Sequence, residues 1–340
     1  MFTLPFLDLP LIWAALIGFA VLAYVVLDGF DLGLGILFAV ERRPDDRAVM
    51  MNSVAPVWDG NETWLVLGGG GLFAVFPLAY AVIMPALYPT IIAMLLGLIF
   101  RGVAFEFRFR ATTPRGRRGW DFAFFAGSTV AAFAQGLTLG GVLQGVRVVD
   151  RAYAGGWWDW LTGFTLLCGI AVVIGYALLG ATWLIWRTEG ALQRRSRRHA
   201  AQLGAATLAL IVVVSLWTPM LNPTFMQRWF GWPGILLTSP VPILVVLLAI
   251  GFWRGLARRH HVTPFLCALG WFVLGYAGLG TSLYPHIVPP AITIWDAAAP
   301  PESQAFLLVG AVVLVPIIIA YMAYSYYVFR GKVQHGEGYH

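Results

Sequence analysis

The chain has 340 residues, of which 59% are hydrophobic and only 11% charged, against roughly a quarter charged in an ordinary soluble domain. A mean hydropathy of +0.78 excludes a water-soluble enzyme and calls for a membrane as solvent. The basic excess, 22 Lys and Arg against 16 Asp and Glu, does not signal nucleic acid, because runs such as Arg194-Arg195-Ser196-Arg197-Arg198 have no interleaved aromatics and no binding module around them.

Apolar runs of about 20 residues, long enough to cross a bilayer as helix, predict nine transmembrane helices. They cover 10–40, 54–75, 79–100, 120–145, 160–186, 201–218, 234–254, 262–283 and 305–329. The first has no basic leader and is too long for a secretory signal, so it reads as a retained span. Only Phe76-Pro77-Leu78 separates the second from the third. The longest polar stretches, 101–119, 187–200 and 284–304, leave no room for a soluble domain. Residues 1–340 therefore read as one integral membrane domain, with four helices in 10–145, four in 160–283 and the ninth in 305–329. The 15 Trp suit interfacial belts. Cys168 and Cys267, alone in separate apolar runs, read as packing residues.

Nineteen of the 22 basic residues fall in the loops after odd-numbered helices or in the tail, leaving Arg147, Arg151 and Arg228 on the other side. By the positive-inside rule the amino terminus is outside and the carboxyl terminus inside. Orientation, with contact to anionic lipid, is the plain use of these loops.

Within this apolar frame, Asp28 and Asp31 lie near the inner end of the first helix, and Asp59 and Glu62 open the second. Each pair is three residues apart, on one helical face. Asp28 lies about 26 Å along the axis from Leu11, in the inner leaflet of a hydrocarbon core about 30 Å thick. A charge at that depth costs at least ~2.5–3.5 kcal/mol and usually faces a bundle interior or a water path. With no Lys near them, the four read as proton-handling groups more than salt-bridge partners, fed from the cytoplasm. The bland alternative is the helix dipole, which favours anions at a helix start; it weighs most for Glu62 and less for Asp59. At a helix carboxyl end, Asp28 and Asp31 have no such support. Glu106, flanked by Arg101 and Arg108, reads as a solvated ion pair. Gly29, Gly33 and Gly35, and the run from Gly68 to Gly71, read as places of close helix approach.

Haem ligands are missing from the helix interiors. His199, His260 and His261 fall in cytoplasmic loops, His286 near the outer surface, His335 and His340 in the tail, and Met94 and Met322 are isolated. Metalloprotease, phosphate-loop and dinucleotide motifs do not occur. The chain is expected to hold no haem, metal or nucleotide by itself.

The segments Val26-Leu27-Asp28-Gly29-Phe30-Asp31-Leu32-Gly33-Leu34-Gly35 and Asn52-Ser53-Val54-Ala55-Pro56-Val57-Trp58-Asp59-Gly60-Asn61-Glu62-Thr63-Trp64-Leu65 carry a family resemblance. With Phe100-Arg101-Gly102 through Arg108 and the late Trp295-Asp296-Ala297, they resemble subunit II of the bacterial cytochrome bd quinol oxidases, over the whole chain. The run Ala104-Phe105-Glu106-Phe107-Arg108 is similar to the cyanide-insensitive branch. The resemblance implies an all-α integral membrane fold, two four-helix bundles plus a peripheral ninth helix, in the bacterial cytoplasmic (inner) membrane. It implies an obligate, haem-bearing subunit I holding two b-type haems and one d-type haem. That subunit oxidises quinol near the outer face and reduces dioxygen to water with cytoplasmic protons, so this chain would be a haem-free partner, not catalytic alone. The resemblance assigns Asp59 to a proton path with Asp28 as companion and Asp31 behind it. Trp58 and Trp64 flank the path, and Trp64 borders an oxygen route. It also admits a structural quinone and small single-helix accessory subunits. Two rivals stand beside it: a proton-coupled secondary transporter, invited by acids within helices, and a purely structural partner. Prolines concentrated at helix ends, Pro316 apart, weigh against the transporter.

Overall fold

The computed structural model describes residues 8–333. Thirteen helices account for most of them: α1 (Leu9–Leu37), α2 (Pro44–Asn52), α3 (Trp58–Val75), α4 (Pro77–Ala86), α5 (Tyr88–Arg110), α6 (Pro114–Gln144), α7 (Gly163–Arg187), α8 (Gly190–Leu221), α9 (Pro223–Phe230), α10 (Gly234–Thr238), α11 (Pro240–Ala257), α12 (Thr263–Leu283) and α13 (Pro301–Val328). Two short antiparallel hairpins complete the described chain. They are β1–β2 (Val148–Val149, Ala152–Tyr153) and β3–β4 (His286–Val288, Ile292–Thr293).

Eight helices are long and apolar enough to cross a membrane, with α10 and α11 counted as one span; α3 with α4 forms a ninth candidate, bent by 118°. The count of about nine spans therefore holds, but the third lies elsewhere. Phe76 leaves helical geometry at φ −123°, ψ 60° and is followed by Pro77, which cannot donate to the preceding turn. After the short α4 the chain turns again at Leu87, and α5 runs on to Arg110. The hydropathy scan ended this span at residue 100, so Arg101, Glu106 and Arg108, expected in a loop, belong to the helix. The polar stretches 101–119 and 187–200 are mostly helix as well, interrupted only at 111–113 and 188–189. The scan also passed over α2, which is too short and too polar to register; Pro44 opens it, and Asp45 and Asp46 sit in its first turn, where the dipole favours acids.

Helices α1, α3, α5 and α6 pack as one group and α7, α8, α11 and α12 as another, joined along α7, which lies against both α1 and α6; α13 rests outside on α1 and α3. The seam depends on missing side chains. A Cβ on Gly33 would lie 1.9 Å from the Tyr176 carbonyl oxygen, and one on Gly180 would lie 2.6 Å from the Gly33 carbonyl carbon. The run from Gly68 to Gly71 is split: 68 and 71 face side chains of α1, whereas 69 and 70 meet nothing within 4 Å.

The connections α1–α2, α5–α6, α7–α8 and α11–α12 share one end, the basic end. There Arg195 of α8 pairs with Glu41 at 2.8 Å and Asp46 at 2.6 Å, and Asp121 of α6 receives Arg47 at 2.9 Å and Arg108 at 2.5 Å. At the opposite end, the Trp295 indole donates to Asp8, the residue that caps α1. Cys168 and Cys267 are free and buried, as packing residues should be.

Candidate functional site

The last two turns of α1, from Asp28 to Gly35, are buried on every side. Helices α5 and α6 nearly touch at Gly97 and Gly127, where a Cβ on Gly97 would come within 2.7 Å of the Gly127 carbonyl oxygen. One turn beyond Gly97, Arg101 is thereby drawn into the middle of the first helix group and is 1% exposed. Its Nη1 donates to Asp28 Oδ1 at 2.7 Å, and its Nη2 lies 3.7 Å from Asp31 Oδ2.

Two further helices close the cluster. Asn61 of α3 donates from Nδ2 to Asp31 Oδ2 at 2.7 Å and more weakly to the Leu27 carbonyl at 3.3 Å. The Tyr326 hydroxyl of α13 donates to Asn61 Oδ1 at 2.8 Å. Trp58 walls the cluster: the Arg101 guanidinium lies 5.9 Å from its ring centroid, and Phe105 stacks on it at 5.1 Å. One turn above Asp28, the Tyr24 hydroxyl accepts from Gln135, which in turn accepts from Tyr176.

One cation thus serves two carboxylates. Asp28 Oδ2, Asp31 Oδ1 and Arg101 Nε have no hydrogen-bond partner among the described residues. If both acids ionise, one negative charge stays uncompensated in a dry interior, and an unpaired buried charge costs several kcal/mol. A single proton on the cluster restores neutrality. The geometry therefore favours one proton shared within the cluster.

Of the predicted site residues, Asp28 and Asp31 come together around Arg101. Glu62 is half-buried and lies within the electrostatic reach of Arg101, Asp28 and Asp59. Asp59 is exposed, and its side chain has no ion pair or hydrogen bond among the described residues. Trp58 touches the cluster, but Trp64 points the other way, donating to Met322 Sδ at 2.9 Å and fixing α13. Two expectations are corrected. The buried acids do have a salt-bridge partner, because the basic residue assigned to the loop is in the helix. Glu106 is exposed and forms no ion pair among the described residues, since both flanking arginines are taken by Asp28 and Asp121.

Sequence reasoning missed Arg101, Asn61 and Tyr326. Arg101 left a signal: it follows Gly97 by four residues, on the face that a small residue lays against a neighbour. Tyr326 left none, because nothing local says which helix α13 meets. The His and Met among the described residues are not paired across the helices as haem ligands would be. Of the four described His residues, His199 lies in the third turn of α8, His260 and His261 in the turn before α12 and His286 in the β3–β4 hairpin; Met94 is buried in apolar packing, and Met322 is engaged by Trp64. No group of three His, Cys, Asp or Glu among the described residues is placed to hold a metal.

Residues 9–329 match the family model described as cytochrome bd terminal oxidase subunit II. The chain belongs to that family. It is 32% identical to cytochrome bd-I ubiquinol oxidase subunit 2 of Escherichia coli strain K12, over 96% of this chain and 95% of that one. It is 27% identical to cytochrome bd ubiquinol oxidase subunit 2 of Bacillus subtilis strain 168, covering 96% and 97%. Its fold superposes on a chain of the bd oxidase from Geobacillus thermodenitrificans with a TM-score of 0.76, at 15% identity, covering 95% and 99%. A multi-pass membrane subunit of a terminal oxidase complex is what the helices and the family together describe, and the transporter reading falls with it.

Proposed function

We propose that this chain is the haem-free subunit II of a quinol-oxidising terminal oxidase and that it leads protons from the cytoplasm toward a haem-bearing subunit I. The observation that carries the proton role is the Asp28–Arg101–Asp31 cluster, one positive charge short of neutral, with carboxylate oxygens left unpartnered. Exposed Asp59 at the basic end is the entry, and Glu62, one turn further in, stands between it and the cluster. Asp28 takes the short ion pair with Arg101, whereas Asp31 lies 3.7 Å from it and accepts from the neutral Asn61 amide, which leaves Asp31 as the better holder of the shared proton. Trp58 keeps the cluster from wider hydration, and Trp64 anchors α13.

Quinol as reductant is supported by the ubiquinol oxidase names of the relatives. Placing two b-type haems and one d-type haem, and the reduction of dioxygen, in subunit I is supported by this chain's unsuitable donors. The basic end is the cytoplasmic end by the distribution of Arg, so protons enter where charge and water are both available. The whole chain then acts as one integral membrane unit beside subunit I.

The test is Asp59→Asn in the purified complex. Quinol-driven oxygen consumption should fall about tenfold, the loss of some 1.4 kcal/mol of barrier lowering, while the reduced-minus-oxidised spectrum keeps its haem content. Full activity in this variant overturns the path. A complex captured through this chain without any d-type haem band overturns the partnership.

A further inference from the structure

A cavity of about 390 Å³ opens at the basic end, lined by Gly190, Gln193, Arg194, Arg197, Arg259 and His261. Two separate connections supply it: the first two turns of α8, and the turn between α11 and α12. The arginines are brought together by specific contacts. Arg197 donates from Nη2 to the carbonyls of Arg259 and His260 at 2.9 and 3.1 Å. Arg259 itself has φ +59°, a left-handed conformation that a non-glycine residue adopts at a cost. Gln193 holds His261 at 3.0 Å while also bonding the end of α7. The turn is thus clamped in a form that sets cation beside cation.

Nothing in the described protein neutralises this group. Glu189, which adjoins the lining residue Gly190 in the chain, is paired with Lys332 at 3.1 Å, and Glu41 and Asp46 are paired with Arg195. Arg194, Arg197 and Arg259 find no carboxylate among the described residues, and Arg197 Nη1 is buried without a partner. The start of the 32-residue α8 adds to the effect. Glu189, its N-cap residue, makes no capping hydrogen bond, so first-turn N–H groups at Gly190 lack a side-chain acceptor. Gly190 has φ +66° and open space around it, which leaves the approach to those N–H groups clear. The positive-inside rule asks only for basic residues at this end; it does not ask three of them to converge on one cavity.

We infer that this cavity is a binding site for a phosphate group, carried on an anionic phospholipid headgroup or present as free phosphate. Planar guanidinium groups from two directions match the oxygens of such an anion. The surroundings suit the lipid: the apolar spans of α8 and of α10 with α11, which lead away from the cavity, are largely uncovered in this chain, with only 17% and 6% of their apolar windows buried. A headgroup seated here can lay its chains along them.

Native mass spectrometry of the delipidated two-subunit complex tests this, with phosphatidylglycerol, phosphatidylcholine or inorganic phosphate added separately. The wild type should retain phosphatidylglycerol over phosphatidylcholine. Arg194→Gln/Arg197→Gln/Arg259→Gln should weaken retention about tenfold or more. The corresponding triple Lys variant keeps the charge that sets topology but loses the planar fork, so it should show a partial loss and gives the reading if the Gln variant fails to assemble. Arg198→Gln/Arg258→Gln, exposed arginines of the same end outside the cavity, should change nothing. Retention of inorganic phosphate alone, lost in the triple variants, assigns the site to the free anion. Wild-type retention of both probes in the triple variants, or no preference in the wild type, overturns the proposal.

Discussion

The two four-helix groups are alike in length and apolarity and differ in what they bury. The first (α1, α3, α5, α6) encloses Asp28, Asp31, Asn61, Arg101, Arg108 and Asp121, and their bonds run from helix to helix. The buried polar residues of the second (α7, α8, α11, α12) are almost all hydroxyls, and Thr182, Ser196, Thr218 and Ser282 each donate to a carbonyl four residues back on their own helix. Arg187, at the end of α7, is the charged exception, and it binds the Phe329 carbonyl. A hydroxyl satisfied within one helix asks nothing of its neighbours, whereas a carboxylate at depth needs a cation from elsewhere. The buried carboxylates of the spanning helices are therefore confined to the first group.

The sharpest way to break that contrast is Arg101→Gln. It strands two carboxylates in an interior closed to water, and losing one partner of a buried ion pair costs about 3–5 kcal/mol. Thermal unfolding of the complex, followed by haem release, should shift far down. Arg187→Gln in the second group loses one hydrogen bond to a neutral carbonyl, a cost of about 1–3 kcal/mol. Equal shifts for the two variants would mean that the charged cluster is no more than ordinary packing.

A smaller contrast lies in the glycines. Gly33→Ala drives a methyl into the α7 backbone at the seam, and overpacking of this kind costs about 1–3 kcal/mol. Gly275→Ala on α12 meets open space and should be neutral or stabilising by up to about 1 kcal/mol. A destabilised Gly275→Ala complex would show instead that this face of the second group is covered by a partner.

What could be read from the chain follows the same division. The apolar runs, the third apart, and the burial of Asp28 and Asp31 were legible, because a missing charge and a misplaced one both stand out against hydrocarbon. The glycines of α1 were legible too, since close approach needs small residues wherever it occurs. Arg101 was not, because a hydropathy window stops at the first arginine; its four-residue spacing from Gly97 was the local signal, and the break at Leu87 is what makes α5 start late enough to contain it. Trp64 and Tyr326 depend on where α13 docks, which no local pattern encodes. The short α2 buries Val49, Met50 and Met51 in the core, too few apolar residues for a hydropathy window, and the ion pairs of Arg47 and Asp46 tie it to α6 and α8.

A finer probe of the cluster is Tyr326→Phe, which removes the hydroxyl that orients Asn61. One neutral hydrogen bond is worth about 0.5–1.5 kcal/mol, so a modest loss of stability is expected. If Asn61 in turn orients Asp31, the variant should also slow turnover without changing haem content. A stability loss with unchanged turnover would separate the packing role of α13 from the proton path.

The smallest effect belongs to the opposite end of the molecule. Asp296 accepts from the Thr293 hydroxyl at 2.5 Å and from its backbone N–H at 3.1 Å, and these bonds hold its carboxyl below the usual range. A lowered folded value means that the contribution is complete above the unfolded value of about 4 and is lost as pH falls through the folded one. Hydrogen exchange at the Thr293 amide should therefore quicken on acidification below about pH 4, beyond its intrinsic pH dependence. In Asp296→Asn that extra step should vanish. If it persists, another acid opens the β3–β4 hairpin. Asp296 and Asp28 each accept a short hydrogen bond, yet water competes freely for one and is shut out from the other. That difference in solvent sets the order of these effects, with Arg101 first and Asp296 last.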